Sequence, residues 1–216
     1  MLRKIVSQVY KGEKGITGLE TAIILIAFVV VAAVFAYTVL SAGLFATQKA
    51  QESVYSGLKE VRSTLELKGS VIAKAETTGA AGYVSQITFT LANALSGEPI
   101  DFTPPNAATD NTGVAASGNN TVVISYVDGA QRVNDLYWTI TKLNADADDL
   151  LEADEKFQVT IGSATQTSGG GNLVNALSPD LIVNKQFTIQ IRAPQGAVLA
   201  FERTTPAYID SVFRLD

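Results

Sequence analysis

The stretch GITGLETAIILIAFVVVAAVFAYTVLSAGLFATQ, residues 15–48, decides how the chain is built. Residues 21–48 include no charged side chain. A helix needs about 20 apolar residues to cross the hydrocarbon core of a bilayer, and residues 22–46 exceed that. The first expectation is a membrane span. Residues 1–15 carry Arg3, Lys4, Lys11 and Lys14 against Glu13, a net of +3. Basic flanks stay in the cytoplasm, so the rest of the chain should cross. An ordinary secretory signal peptide has a shorter apolar region of roughly 7–15 residues, ending at a small-x-small cleavage site. The run here is too long for that and continues into a helix-like segment.

That continuation reads ATQKAQESVYSGLKEVRSTLELK, residues 46–68. Ala46, Ala50, Val54, Leu58, Val61 and Leu65 recur every three or four positions, one apolar stripe on a helix. Lys49, Glu52, Lys59, Glu60 and Arg62 fall mostly off it. Gly69 is a reasonable place to stop. Span and stripe together predict one helix from about Gly18 to Lys68, near 75 Å long at about 1.5 Å per residue. Only its first part fits a bilayer. The rest needs an apolar partner, either the chain's own domain or copies of the chain.

From Val71 onward the period changes to two. Residues 71–75, 83–91, 121–127, 136–141, 156–161, 185–192 and 197–201 are rich in Val, Ile, Thr and aromatics. Such runs, separated by polar loops, predict an antiparallel β-sandwich, immunoglobulin-like in outline. Trp138 is expected in its core. Residues 103–120 and 162–172 are low in complexity and are expected to be exposed, adaptable loops. The predicted class is α+β: a long hydrophobic helix (residues 16–69) followed by a β-sandwich (residues 70–216).

The 216 residues include no cysteine and no histidine. A Ser-His-Asp triad, a cysteine nucleophile and the usual zinc ligand sets are therefore excluded, as is any disulfide. A net charge of −5 argues against nucleic acid as a partner. Carboxylates are scattered, with nothing to bring a glycosidase pair together, so no residue is assigned as catalytic.

The boundary between the charged start and the apolar run reads Gly12-Glu13-Lys14-Gly15-Ile16-Thr17-Gly18-Leu19-Glu20. It is similar to a class III, type IV pilin-like leader. In that class a membrane peptidase cuts on the cytoplasmic side, before the apolar helix. The resemblance implies that Lys14 and Gly15 end the leader (residues 1–15). Ile16 would start the mature chain, with Gly18 third and Glu20 fifth. Residues 11–68, with GITGLETAIILIAFVVVAAVFAY and TQKAQESV, resemble archaellins, the filament subunits of the archaeal flagellum. That resemblance implies a structural subunit of a swimming filament. Its partners would be copies of itself or sister archaellins, the leader peptidase and an ATPase-driven membrane export platform. The precursor would sit in the cytoplasmic membrane and the product in an extracellular filament. An adhesive pilin of the same export class is an alternative, as is a single-span anchored binding protein.

The physics of that design stands without the family. Cutting after Gly15 would create an ammonium on Ile16, and a carboxylate at the membrane edge costs about 1–3 kcal/mol. Pairing Glu20 with an Ile16 ammonium, its own or a neighbour's, would neutralise both. Ile23, Ile24, Phe28, Val31 and Phe35 are the expected assembly residues, each stabilising a covered helix by about 1.5–3 kcal/mol. Removing a leader of net +3 from a chain of net −5 leaves −8.

Two further features stand in the outer part. Asn119-Asn120-Thr121 is an N-glycosylation sequon; the family resemblance favours its use at Asn119. Residues 144–155, NADADDLLEADE, place oxygen ligands as in a calcium loop but with Asp149 where that template requires Gly. No cofactor is required. A Ca²⁺ or Mg²⁺ loop would use Asn144, Asp146, Asp148 and Glu155. The competing expectation is a solvated acidic turn with Leu150 and Leu151 tucked into the sandwich.

Overall fold

A computed structural model describes residues 18–215, except 96, 97, 117, 119 and 168. It begins with helix α1 (Gly18–Arg62). The chain divides into two compact units, the first ending at Tyr55 and the second running Ser56–Asp216.

Charge placement suits the helix dipole, with Glu20 in the first turn and Lys59 and Arg62 in the last. Ile and Val crowd the middle of α1, where β-branching lowers helix propensity. Helix is nonetheless the structure that satisfies every backbone polar group without water. The hydroxyls follow the same rule. Thr21 donates to the Gly18 carbonyl, Thr38 to Phe35 and Thr47 to Gly43, at 2.8–3.0 Å.

The helix stops at Arg62, six residues before the expected Lys68. Ser63 donates its N–H and its hydroxyl to the Lys59 carbonyl, and Thr64 donates its hydroxyl to Val61. Leu65, expected on the helix stripe, instead starts strand β1 (Leu65–Thr77) and is 3% exposed in the sandwich core. It obeys both periods, lying four after Val61 and two before Leu67. The sheet wins because Leu65, Val71 and Ala73 bury one side of a single strand.

Downstream lie β2 (Tyr83–Asn93), β3 (Ile100–Asp101), β4 (Asn106–Ala107), β5 (Ala115–Ala116), β6 (Val123–Asp128) and β7 (Arg132–Val133). After them come β8 (Trp138–Leu143), β9 (Leu150–Leu151), β10 (Lys156–Ile161) and the short helix α2 (Leu173–Ala176). The chain ends with β11 (Gln186–Arg192), β12 (Leu199–Thr204) and β13 (Val212–Leu215). One sheet has the order β13-β1-β2-β10-β8 and the other β12-β11-β6-β7. Strand neighbours in both are antiparallel. The chain changes sheet between β2 and β6, β7 and β8, β10 and β11, and β12 and β13, which locks the two layers together.

The fold class is as expected, a long helix followed by an antiparallel sandwich. Each predicted run carries a strand. Phe89, Leu91, Phe157, Val159 and Ile161 from one sheet and Ile124, Tyr126, Phe187, Ile189 and Ile191 from the other form the core. Trp138 is fully buried there, its ring edge-on to Phe102 at 5.9 Å.

The two low-complexity loops keep exposed stretches, including Asn106, Ala107, Asp110, Ala164 and Thr165, but they also pack on one another. The Gly113 N–H donates to Gly170 O and the Asn111 amide to Thr167 O, while the Ser163 N–H donates to Gly171 O within the second loop. Gly171 has φ +83, and a Cβ there would lie 2.1 Å from the Asn111 carbonyl oxygen. Glycine is required by the approach of two backbones, not by flexibility.

Candidate functional site

Within α1 the chain's own atoms cover almost nothing. Ile23, Ile24, Phe28, Val31 and Phe35 are all exposed, Phe28 at 73% and Phe35 at 71%. No residue of α1 is buried. The helix is long and apolar enough to cross a membrane. Its apolar residues lie all round rather than along one stripe, as in a helix surrounded on every side. Gly18, Gly43 and Gly57 have nothing within 4 Å of where a Cβ would stand. Such positions gain from small size only when another helix comes close.

Covering the large apolar side chains from Ile23 to Leu40 is worth tens of kcal/mol at about 1.5–3 each. Among the described residues no other exposed apolar surface is as large, so the helix is the candidate functional site. The hydroxyl bonds of Thr21, Thr38 and Thr47 matter here, because they let those side chains enter a dry environment without orphaned donors. Sequence reasoning passed over these threonines; their isolation in an uncharged run was the available signal.

Of the expected cleavage residues, Lys14, Gly15 and Ile16 lie outside the described residues, and Gly18 is the first residue of α1. Glu20 sits in the first helical turn, where its charge favours the exposed N–H groups. Asn119 also lies outside the described residues. Beside it, Asn120 donates its amide to Asp135 at 3.0 Å, and the Thr121 hydroxyl donates to the Asp101 carbonyl at 2.7 Å.

The acidic segment folds as a hydrogen-bonded turn. Glu155 accepts from the N–H groups of Asp146 and Glu152, Asp146 from Asp148, and Asp148 from Leu150. Lys142 pairs with Asp149 at 3.0 Å and donates to Ala147 O. Strand β9 pairs with β3, burying Leu151 completely and Leu150 partly. The carboxylates of Asp146, Asp148 and Glu155 are turned to backbone N–H groups, and Asn144 is held at φ 53. Among the described residues no three acidic side chains are gathered to hold a metal ion. The donor set does not fit the Ca²⁺ or Mg²⁺ loop.

The perturbed pair Tyr126 and Asp128 is structural. Burial pushes the Asp128 carboxyl up, but N–H bonds from Ala130 and Gln131, the Tyr126 hydroxyl and the Lys185 charge together hold it below its usual value. Tyr126 donates at 2.8 Å, and Lys185 lies 3.9 Å away. The Tyr126 hydroxyl is pushed far up, by burial first and then by Asp128. This cluster closes the β6–β7 turn and has no spacing signature in the sequence.

Comparison with known proteins agrees with the geometry. Residues 15–203 match the family described as archaeal-type flagellin. Probable flagellin 1 of Archaeoglobus fulgidus is 39% identical over 95% of this chain and 96% of its own length. Probable flagellin 1 of Aeropyrum pernix is 32% identical over 90% of this chain and 93% of its own. The solved archaeal flagellum of Methanospirillum hungatei strain JF1 aligns with 93% of this chain and 99% of its own, at 27% identity and a TM-score of 0.60. The chain belongs to the archaeal-type flagellin family.

Proposed function

We propose that the chain is made as a membrane-held precursor, cut between Gly15 and Ile16, and passed by its helix into an extracellular filament. The protein is a structural subunit of the archaeal flagellum, the archaellum filament. The observation that carries this reading is α1, an apolar helix that its own chain leaves uncovered. In a filament, neighbouring copies of α1 supply the missing cover, and the sandwich faces outward.

Processing and export are the finer part of the proposal. The family match begins at residue 15, at the expected end of the leader. Removing Lys14 and the basic residues before it frees the helix from its cytoplasmic anchor. The new Ile16 ammonium is four residues before Glu20 in the sequence, and pairing of the two charges inside or between subunits would neutralise both. A leader peptidase and an ATPase-driven export platform are the partners this route needs. The remaining net charge of −8 keeps the outer surface soluble, and its repulsion is offset by helix packing.

The test is N-terminal sequencing and intact mass of material sheared from cells. A chain starting at Ile16 in a sedimenting filament is the expected result. A chain starting at Met1 and extracted only by detergent would refute the proposal and favour a membrane-anchored binding module.

A further inference from the structure

We propose that α1 carries more apolar length than a bilayer covers, and that a second copy of the chain covers the excess at residues 41–48, so that the mismatch itself draws subunits together in the membrane. The inference rests on the reading of a membrane-held precursor and adds to it what starts assembly.

Charge sets the length of the run. Glu20 stands at one end and Lys49 at the other, and the 28 residues between them carry none. All of them are helical within α1, so the run is about 42 Å long at about 1.5 Å per residue. The hydrocarbon core of a typical bilayer is about 30 Å thick, which leaves about 12 Å, or roughly eight residues, over. Tilting is the first way a helix absorbs excess length. Fitting about 42 Å into about 30 Å requires a tilt near 45°, whereas spanning helices average about 20° and reach about 40°. At the average tilt the run still overshoots by about 9 Å. Kinking is the other way, but α1 contains no proline and runs unbroken through Gly43.

The excess falls at the outer end. Basic residues hold the N-terminus in the cytoplasm, and Glu20 keeps the start of the run at that interface. About 20 residues counted from Thr21 end at Leu40. The remainder reads SAGLFATQ, residues 41–48. Leu44 is 60% exposed and Phe45 62%. The Thr47 hydroxyl donates to Gly43 O at 2.9 Å, so it does not call for water. Immediately beyond, Lys49 pairs with Glu52 and marks where the helix is at home in water.

Where lipid covers a side chain, helix association gains little from apolar burial. Leu44 and Phe45 are different, because the surface they give up on association faces water and the full hydrophobic effect applies. A second α1 crossing the same bilayer presents the same two side chains at the same height, and so supplies an apolar surface where lipid ends.

The chain has no cysteine, so Ala164→Cys puts a single label site on an exposed loop. Full chains labelled with donor or acceptor are reconstituted together in phosphatidylcholine vesicles with hydrocarbon cores about 25, 30 and 40 Å thick. Energy transfer should report self-association at least about threefold stronger in the thinnest vesicles than in the thickest. A smaller difference, or association that rises with thickness, would overturn the proposal, since lipid and tilt would then cover the run. Leu44→Gln with Phe45→Gln ends the apolar run near Gly43 and should lose the thickness dependence. Val54→Gln with Leu58→Gln, beyond Lys49, should keep it. Any other pattern between the two pairs would also overturn it. Trp138 fluorescence checks that the sandwich is folded in every variant, and resistance to alkaline carbonate checks insertion. A wild-type chain that does not insert sinks the membrane-held precursor instead.

Discussion

Replacing Phe35 by Ala separates the two kinds of apolar surface in this molecule. The ring is 71% exposed in the single chain, so the chain's own fold gains little from it. In the proposed helix core that surface would be covered. Phe→Ala in a packed interior costs about 3–5 kcal/mol. Scaling by the share of the ring that other subunits must supply gives about 2–3.5 kcal/mol per subunit. At about 1.4 kcal/mol per tenfold, the subunit concentration in equilibrium with filament should rise ~30- to 300-fold. Phe187 is the control. It is 1% exposed and stacks on Tyr126 with ring centroids 5.6 Å apart, so Phe187→Ala should weaken the sandwich by about 3–5 kcal/mol. Two readouts distinguish them. Sedimentation against temperature follows filaments, and the single tryptophan, Trp138, buried in the core, follows the sandwich by fluorescence. Phe35→Ala should lower the first midpoint and spare the second. If it moves the Trp138 transition as far as Phe187→Ala does, or leaves filament dissociation unchanged, the account of the helix as an assembly surface is wrong.

Asp128→Asn should cost roughly 1–3 kcal/mol of sandwich stability at neutral pH, through weakened bonds to Tyr126, Ala130 and Gln131. Because the folded carboxyl titrates below its unfolded value near 3.9, its stabilisation is complete above that value and is lost as pH falls through the folded one. Acid unfolding followed by Trp138 fluorescence should therefore be shallower in the variant. Gly171→Ala should destabilise by more than 2 kcal/mol, because positive φ and a backbone oxygen 2.1 Å from the new Cβ both oppose it; an unchanged urea midpoint would contradict the packed-loop description. Asn172→Ala removes the cap of α2 and a bond to Glu76, and should lower the thermal midpoint by an amount equivalent to about 1–2 kcal/mol. Glu20→Gln should leave the N-terminus of the mature chain at Ile16 but reduce filament yield; equal yield would remove the pairing of Glu20 with the Ile16 ammonium.

The parts legible in sequence were those written in a long or repeated signal. An uncharged run of this length admits few environments, and period-two runs such as residues 83–91 and 185–192 could face only one core. What escaped had a local signal pointing two ways. Leu65 satisfied both the helical and the strand period, and the hydroxyls of Ser63 and Thr64 that close the helix look like ordinary polar residues. The run SGGGN resembled a loose linker, but its glycines admit the backbone of residues 111–113 at contact distance. Strand β13 is four residues long, with Arg214 inside it, and exists because β1 offers it an edge. The acidic turn showed the right ligand spacing for a cation, yet spacing does not reveal that its carboxylates are turned to backbone N–H groups. The uncovered apolar helix was legible because its signal is composition; the Asp128 cluster was not, because its members meet only through folding.

The two units also explain how one chain can pass from lipid to filament. Every backbone group within α1 is bonded inside the helix, apart from the ends, and so are the hydroxyls of Thr21, Thr38 and Thr47. Moving the helix from one dry environment to another therefore changes only what its side chains touch. Lipid tails are as apolar as Leu, so burial of apolar surface does not favour the filament over the membrane. The difference has to come from terms that lipid cannot supply. Close approach at small residues such as Ala32, Ala33, Ala36 and Gly43 is one. The proposed neutralisation of Glu20 by the Ile16 ammonium would be another. Once the filament is in water the comparison reverses, because release of a subunit would expose the whole of α1 at a cost of tens of kcal/mol. On the proposed route, assembly is thus delicately balanced in the membrane and strongly favoured outside it, and the same exposed helix accounts for both.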